Sequence, residues 1–160
     1  MANLATILAN RGYYITPHIV RSINDSTSSQ IEKHVIPIAR KHFDPIVEGM
    51  QMVIKEGTGR RAQIDSITIA GKTGTVQNPH GDDHSVFIAF APVENPKIAL
   101  IVYVENGVWG SRYAAPIAGL LIEKYLKGKI SDKKKPLEKE MFQGSLIHNT
   151  TSKVKETSNE

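Results

Sequence analysis

Helix and strand signals alternate along this chain of 160 residues, a pattern consistent with an α/β (α+β) fold in which a mainly antiparallel sheet carries a C-terminal helix. Two features support that class. Two apolar, β-branched stretches flank the turn-rich link Pro92-Val-Glu-Asn-Pro96, as the arms of a hairpin do. An amphipathic segment then follows the second arm and stops at Gly128.

The first helix is expected over residues 1–11, where Met1, Leu4, Ala5 and Leu8 recur at helical spacing and Gly12 supplies a stop. No capping residue precedes the pattern, so the helix is expected to have lost its start. Residues 13–23 read as extended, with Pro17 demoting them to an edge or loop-like strand. Residues 24–30 are polar and rich in Ser and Thr, a surface loop. Asp44 is expected to cap a second helix, with Pro45 at its first position. Ile46, Val47, Met50, Val53 and Ile54 form its apolar stripe, and Gly57 ends it.

Three strands are expected at 67–77, 85–91 and 98–106. Their nearly continuous apolar content predicts a sheet covered on both faces. A last helix is expected from Ser111 as cap to Lys127, with Pro116 near its first turn. Its ordered side is Ile117, Leu120, Leu121, Lys124 and Tyr125. From Lys129 the chain is charged, rich in Ser and Thr, and aperiodic. Residues 1–128 are therefore expected to form the folded portion and 129–160 a disordered tail.

Composition excludes several classes. Lys and Arg number 20 against 16 Asp and Glu, a formal charge of +4. The cations form no obvious stripe, so no nucleic-acid partner is expected. No apolar run approaches the ~20 residues of a membrane helix, and no basic-then-apolar leader opens the chain. Without cysteine there are no disulfides, thiolate zinc sites or thiol nucleophiles.

Gly71-Lys72-Thr73 suggests a phosphate loop, but the required upstream glycine is replaced by Ser66 and the preceding segment is strand-like. The same residues fit a different chemistry. In a strand, Thr73 and Thr75 share one face and Lys72 points to the other with Gly74. Two hydroxyls on one face can hold a carboxylate or amide. Gly74 removes the side chain that would block close approach beside the lysine. On an edge strand the Thr75 amide can serve as an oxyanion donor. His80 and His84, with Asp82 and Asp83 between, are better read as a polar loop than as metal ligands, because Gly81 argues against the helix their spacing needs. Trp109 marks either a binding surface or packing under the last helix. Arg60 and Arg61 read as a solvated pair, with carboxylate binding as the functional alternative.

These residues also carry a family resemblance. Lys-Thr-Gly is the third motif of penicillin-binding proteins and class A β-lactamases. The stretch from Ala2 through Asn10-Arg-Gly-Tyr-Tyr14 to Thr16-Pro-His18 resembles elongation-type class B penicillin-binding proteins, the penicillin-binding protein 2 group. So do Ile69-Ala-Gly-Lys-Thr-Gly-Thr75 and the segment after it to His80, Asp83-His-Ser85, Phe87-Ile-Ala-Phe-Ala-Pro92, and Ala114-Ala-Pro-Ile-Ala118. Together they cover about residues 1–128, and the stretch from Asn78 to His84 looks most like the Bacteroidetes branch.

The resemblance implies part of a penicillin-recognising serine transferase (β-lactamase/transpeptidase-like) fold. It implies a parent D,D-transpeptidase that cross-links peptidoglycan during elongation, binds penicillin and needs no cofactor. Lys72 and Thr75 are the implied catalytic residues, Thr75 through its amide. Thr73, Gly74 and Thr75 are the implied substrate-binding residues. Implied partners are peptidoglycan stem peptides, β-lactams, a SEDS-family glycosyltransferase and shape proteins, at the periplasmic face of the inner membrane.

The family's nucleophile comes from Ser-x-x-Lys and its second motif from Ser-x-Asn or Ser-x-Asp. Ser131-Asp-Lys-Lys134 and Ser152-Lys-Val-Lys155 match the first by pattern, and Ser22-Ile-Asn24 the second. The first two are set aside because a charged tail offers no burial to lower the lysine pKa. The third follows the first helix instead of preceding it. The chain alone is therefore expected to be inactive. A β-lactam sensor domain and a non-catalytic interaction fragment are the alternatives.

Overall fold

The computed structural model describes residues 1–20, 22–23, 26–27 and 32–146. Its centre is an antiparallel sheet of β5 (Ala70–Val76), β6 (His84–Ala91) and β7 (Ile98–Val104), in that order. β6 is buried from Ser85 to Ala91, as an unbroken apolar run requires. On one face Phe87, Ala89 and Ala91 pack with Val102, Ile54, Ile64 and Ile69. On the other, Ile88 and Phe90 pack against Ala5, Leu8 and Ala9 and against Val47 and Met50. The expected two-sided cover is therefore present. Burying a side chain such as Phe87 or Phe90 contributes about 1.5–3 kcal/mol. The β6–β7 hairpin turns through a cis Ala91–Pro92 bond and closes with the Lys97 amide donating to the Ala91 carbonyl, 2.9 Å.

Helix α1 (Ala2–Ala9) ends as Arg11 and Gly12 take positive φ values of 55° and 118°. Arg11 then caps it, donating to the carbonyls of Leu8 and Ala9 at 3.1 and 2.9 Å. The same guanidinium pairs with Asp44 at 3.3 Å. Asp44 departs from expectation: it is the first residue of α2 (Asp44–Lys55), with Phe43, already in helical conformation, in the cap position and no side-chain cap bond. α2 buries Val47, Met50 and Ile54, while Ile46 stays half-exposed.

β1 (Tyr13–Ile15) stops before Pro17 and pairs with β4 (Lys33–Val35), a strand with no alternation to announce it. β2 (Ser22–Ile23) pairs with β3 (Ser26–Thr27), so the polar stretch read as loop contains a strand.

The last two helices depart most from expectation. α3 runs Ala114–Lys127, starting three residues after the expected cap Ser111, and Gly128 ends it with a left-handed φ of 74°. Its core side is Ala114, Ala115, Ala118 and Ile122, whereas Leu121 and Tyr125 from the expected stripe are exposed. Small residues win because they let the helix come close. A Cβ on Gly119 would stand 2.7 Å from the Ala62 carbonyl oxygen.

From Lys129 the chain does not stay structureless. A 3-10 turn (Asp132–Lys134) leads into α4 (Lys135–Gln143), with Pro136 in its first turn. Arg61 donates to both Glu140 carboxylate oxygens at 2.7 Å and to the Arg112 carbonyl at 3.0 Å. Lys133 pairs with Asp65 at 2.9 Å. Ile130 and Met141 line an apolar groove with Ile117 and Leu120. No described helix is long and apolar enough to cross a membrane.

Two glycine variants test this packing in opposite directions by chemical denaturation. Gly119→Ala, which meets the Ala62 backbone, is expected to destabilise the chain by about 1–3 kcal/mol. Gly49→Ala, in α2 with no atom within 4 Å of the added carbon, is expected to stabilise it by roughly 0.5–1 kcal/mol.

Candidate active site

β5 is an edge strand of its sheet, so Lys72-Thr73-Gly74-Thr75 lies on a rim. The register pairs Lys72 with Ile88, Thr73 with Phe87, Gly74 with Val86 and Thr75 with Ser85. Cross-strand partners share a face. Lys72 therefore belongs to the α1–α2 side and the two threonines to the α3 side, as the alternation requires.

Lys72 is exposed and its ammonium donates to the Thr73 carbonyl at 2.8 Å. Beside it lies an apolar cavity of 360 Å³ lined by Leu8, Ile46, Met50, Val53 and Ile88. The Thr73 hydroxyl shares a 2.6 Å hydrogen bond with Thr58, a residue the sequence reading did not select. Thr58 is carried by the turn after α2, which the Gly59 amide ties to the Val53 carbonyl at 2.9 Å. Its only sequence signal is the Gly57-Thr58-Gly59 turn itself.

The loop between β7 and α3 lies against this strand. A Cβ on Gly110 would come within 2.5 Å of the Val86 carbonyl oxygen and 2.8 Å of that of Gly74, so only glycine allows this approach. Buried Ser85 anchors the loop: its hydroxyl donates to the Trp109 carbonyl at 2.9 Å and accepts from the Ala114 amide at 3.1 Å. Trp109 itself is 65% exposed at the surface, not packed under the helix.

The β5–β6 connection is ordered by side chains. The Asn78 amide donates to Asp83 at 3.1 Å, and the Asn78 side chain donates to the Asn106 side-chain oxygen at 3.2 Å. His84 Nδ1 accepts from the Asn106 amide at 3.1 Å, which commits that nitrogen to the loop. His80 is exposed, its amide donating to the Asn78 side chain. Arg61 is no solvated residue, because Glu140 and the Arg112 carbonyl engage it.

The three pattern matches to nucleophile motifs fall differently. Ser152-Lys-Val-Lys155 and the side chains of Ser22-Ile-Asn24 lie outside the described residues. Ser131-Asp-Lys-Lys134 corrects one expectation. Lys134 is half-buried, and desolvation lowers its pKa, against the opposing pull of Glu123 and Asp65. Its ammonium nevertheless has no hydrogen-bond partner among the described residues, so Ser131 is not bonded to it.

The family profile described as "Penicillin binding protein transpeptidase domain" matches residues 1–123. The chain is 32% identical to the peptidoglycan D,D-transpeptidase MrdA of Haemophilus influenzae, over 81% of this chain and 24% of that protein. It is 34% identical to the peptidoglycan D,D-transpeptidase PbpA of Mycobacterium tuberculosis, over 79% of this chain and 28% of that one. Among solved structures, Pseudomonas aeruginosa PBP2 in complex with WCK 5153 superposes with a TM-score of 0.68 at 33% identity, covering 84% of this chain and 31% of that one. The imipenem acyl-enzyme complex of penicillin-binding protein A from M. tuberculosis gives 0.69 at 32% identity, covering 78% and 29%. The chain thus spans only about a quarter of the length of these curated relatives.

Ser85→Ala removes a buried hydroxyl that serves both the Trp109 carbonyl and the Ala114 amide. The expected loss of stability is about 1–3 kcal/mol. Hydrogen exchange should show faster exchange at the Ala114 amide, with the β6–β7 ladder unchanged.

Proposed function

The chain belongs to the penicillin-binding protein transpeptidase domain family, and from that premise we propose that it is the C-terminal portion of a serine-type D,D-transpeptidase. The observation that carries this reading is the position of Lys72-Thr73-Gly74-Thr75 on a sheet edge. An edge strand lets a peptide lie along it and meet side chains from both faces as well as the backbone.

In this reading a serine on an upstream segment of a longer protein attacks the penultimate D-Ala carbonyl of a stem peptide. The peptide bond breaks, terminal D-Ala leaves with a proton, and an acyl-enzyme forms. An amino group of a neighbouring stem then takes the acyl group and releases the serine. Thr73 and Thr75 bind the terminal carboxylate of the stem, or that of a β-lactam. Lys72 holds the second-motif hydroxyl and supplies positive field. The Thr75 amide is one half of the oxyanion hole, where preorganised donors act on the developing charge. Gly74 clears the approach.

The apolar cavity beside Lys72 supports the same reading, since it offers an apolar wall next to the lysine for the segment that carries the nucleophile. The wider proposals rest on the sequence resemblance: action during cell elongation beside a SEDS-family glycosyltransferase and shape proteins, at the periplasmic face of the inner membrane.

Two measurements with a fluorescent penicillin and a denaturing gel test the reading. The 160-residue chain alone is expected to take no covalent label, because Ser131, the one candidate serine whose side chain is described, is not bonded to Lys134. In the longer protein Lys72→Ala is expected to abolish labelling. Thr75→Val should slow it by roughly one to two decades, the worth of a charge-assisted hydrogen bond. Wild-type labelling rates in Lys72→Ala would overturn the assignment of the lysine.

A further inference from the structure

A second cavity, of 300 Å³, opens where the C-terminal extension meets the body of the chain. It shares no lining residue with the cavity beside Lys72. Its walls come from three places: Arg60 and Asp65 after α2, Glu123 and Lys127 on α3, and Lys133 and Lys134 on the 3-10 turn.

Several of these groups are unsatisfied. Glu123 is 1% exposed. Its Oε1 accepts from Lys127 at 3.4 Å, and its Oε2 has no hydrogen-bond partner among the described residues. The Lys134 ammonium is shielded from solvent and likewise has none. The Arg60 guanidinium, at the same cavity, joins no hydrogen bond or ion pair among the described residues. Burial lowers the Lys134 pKa, against the opposing pull of Glu123 and Asp65.

These groups define what a ligand would have to offer. A buried carboxylate oxygen and a buried ammonium are both costly to leave unpaired. A group between them must accept from Lys134 and Arg60 and donate to Glu123 Oε2. Charge narrows it further: four cations against two carboxylates leave an excess of 4 − 2 = 2 positive charges at the cavity. Water meets the hydrogen-bond demand but not the charge. A dianion with one acidic hydrogen meets both.

We propose that this cavity is a binding site for hydrogenphosphate, whose anionic oxygens accept from Lys134 and Arg60 and whose P–OH donates to Glu123 Oε2. Because the walls belong to three segments, the bound ion also clamps the extension to α3.

The test uses the full 160-residue chain at slightly alkaline pH, in a phosphate-free buffer of constant ionic strength. Isothermal titration calorimetry and thermal unfolding compare inorganic phosphate with sulfate. Sulfate has the same charge but no hydrogen to donate. The expected result is saturable one-to-one phosphate binding with a rise in Tm, and sulfate binding weaker by about tenfold or more, the worth of one charge-assisted hydrogen bond. Lys134→Met and Arg60→Gln should each weaken phosphate by about the same factor. Arg60 is exposed, so its variant keeps the fold even where a change at a buried site does not. Glu123→Gln, which replaces an acceptor with a group able to donate, should erase the preference for phosphate over sulfate. Absence of saturable phosphate binding, equal affinity for sulfate, or unchanged affinity in Arg60→Gln would overturn the proposal.

Discussion

The chain depends on one constraint, the burial of β6 on both faces. Phe87 looks into the α3 side and Ile88 and Phe90 into the α1–α2 side, so neither layer has a core without that strand. The constraint fixes register, because a one-residue slip would exchange the two sets of side chains. Register in turn fixes the candidate site. Lys72 stands opposite Ile88 and Thr73 opposite Phe87, so the lysine and the threonines take their faces from the packing of a neighbouring strand. Placing β6 at the centre also leaves β5 with an open edge.

Close backbone approach carries that order outward. Gly119 rests on the Ala62 backbone and Gly110 on the Val86 and Gly74 carbonyls. A side chain at either would push a layer away. The Gly110 contact reaches the candidate site strand directly, and Ser85 secures it by satisfying an amide and a carbonyl in the buried turn before α3. The loop over the threonine face is therefore tied to the sheet beneath it at Gly110 and Ser85.

What was legible in the sequence was local. The β6–β7 hairpin, the two-faced sheet and the alternation of Lys72 with Thr73 and Thr75 follow from side-chain period and turn residues within a few positions of one another. What was not legible depends on distant partners. Asp44, expected to cap α2, instead pairs with Arg11, 33 residues away. α4 reads as solvated tail because Arg61 lies 79 residues from Glu140, and Asp65 lies 68 from Lys133. Of the expected stripe of α3, Ile117 and Leu120 do face inward, but Leu121 and Tyr125 are exposed, and Ala114, Ala115, Ala118 and Ile122 pack the core instead. Thr58 is silent in the sequence because a threonine in a glycine turn signals nothing until the fold brings it to Thr73.

The segment after α2 joins these two levels. Over a few residues it places Thr58 against Thr73, Ala62 under Gly119, and Arg60, Arg61 and Asp65 toward the extension. Its own backbone is tied to the end of α2 through the Gly57 and Gly59 amides, which donate to the Met52 and Val53 carbonyls at 3.1 and 2.9 Å. The same turn that sets the Thr73 hydroxyl thus anchors the C-terminal helix through Arg61, whose Nη2 donates to both Glu140 oxygens, a charge-assisted contact. A displacement of α4 would pull on Arg61, three residues from Thr58, while the glycine turn held at α2 resists it. The extension beyond Gly128 is in this sense continuous with the architecture that presents β5.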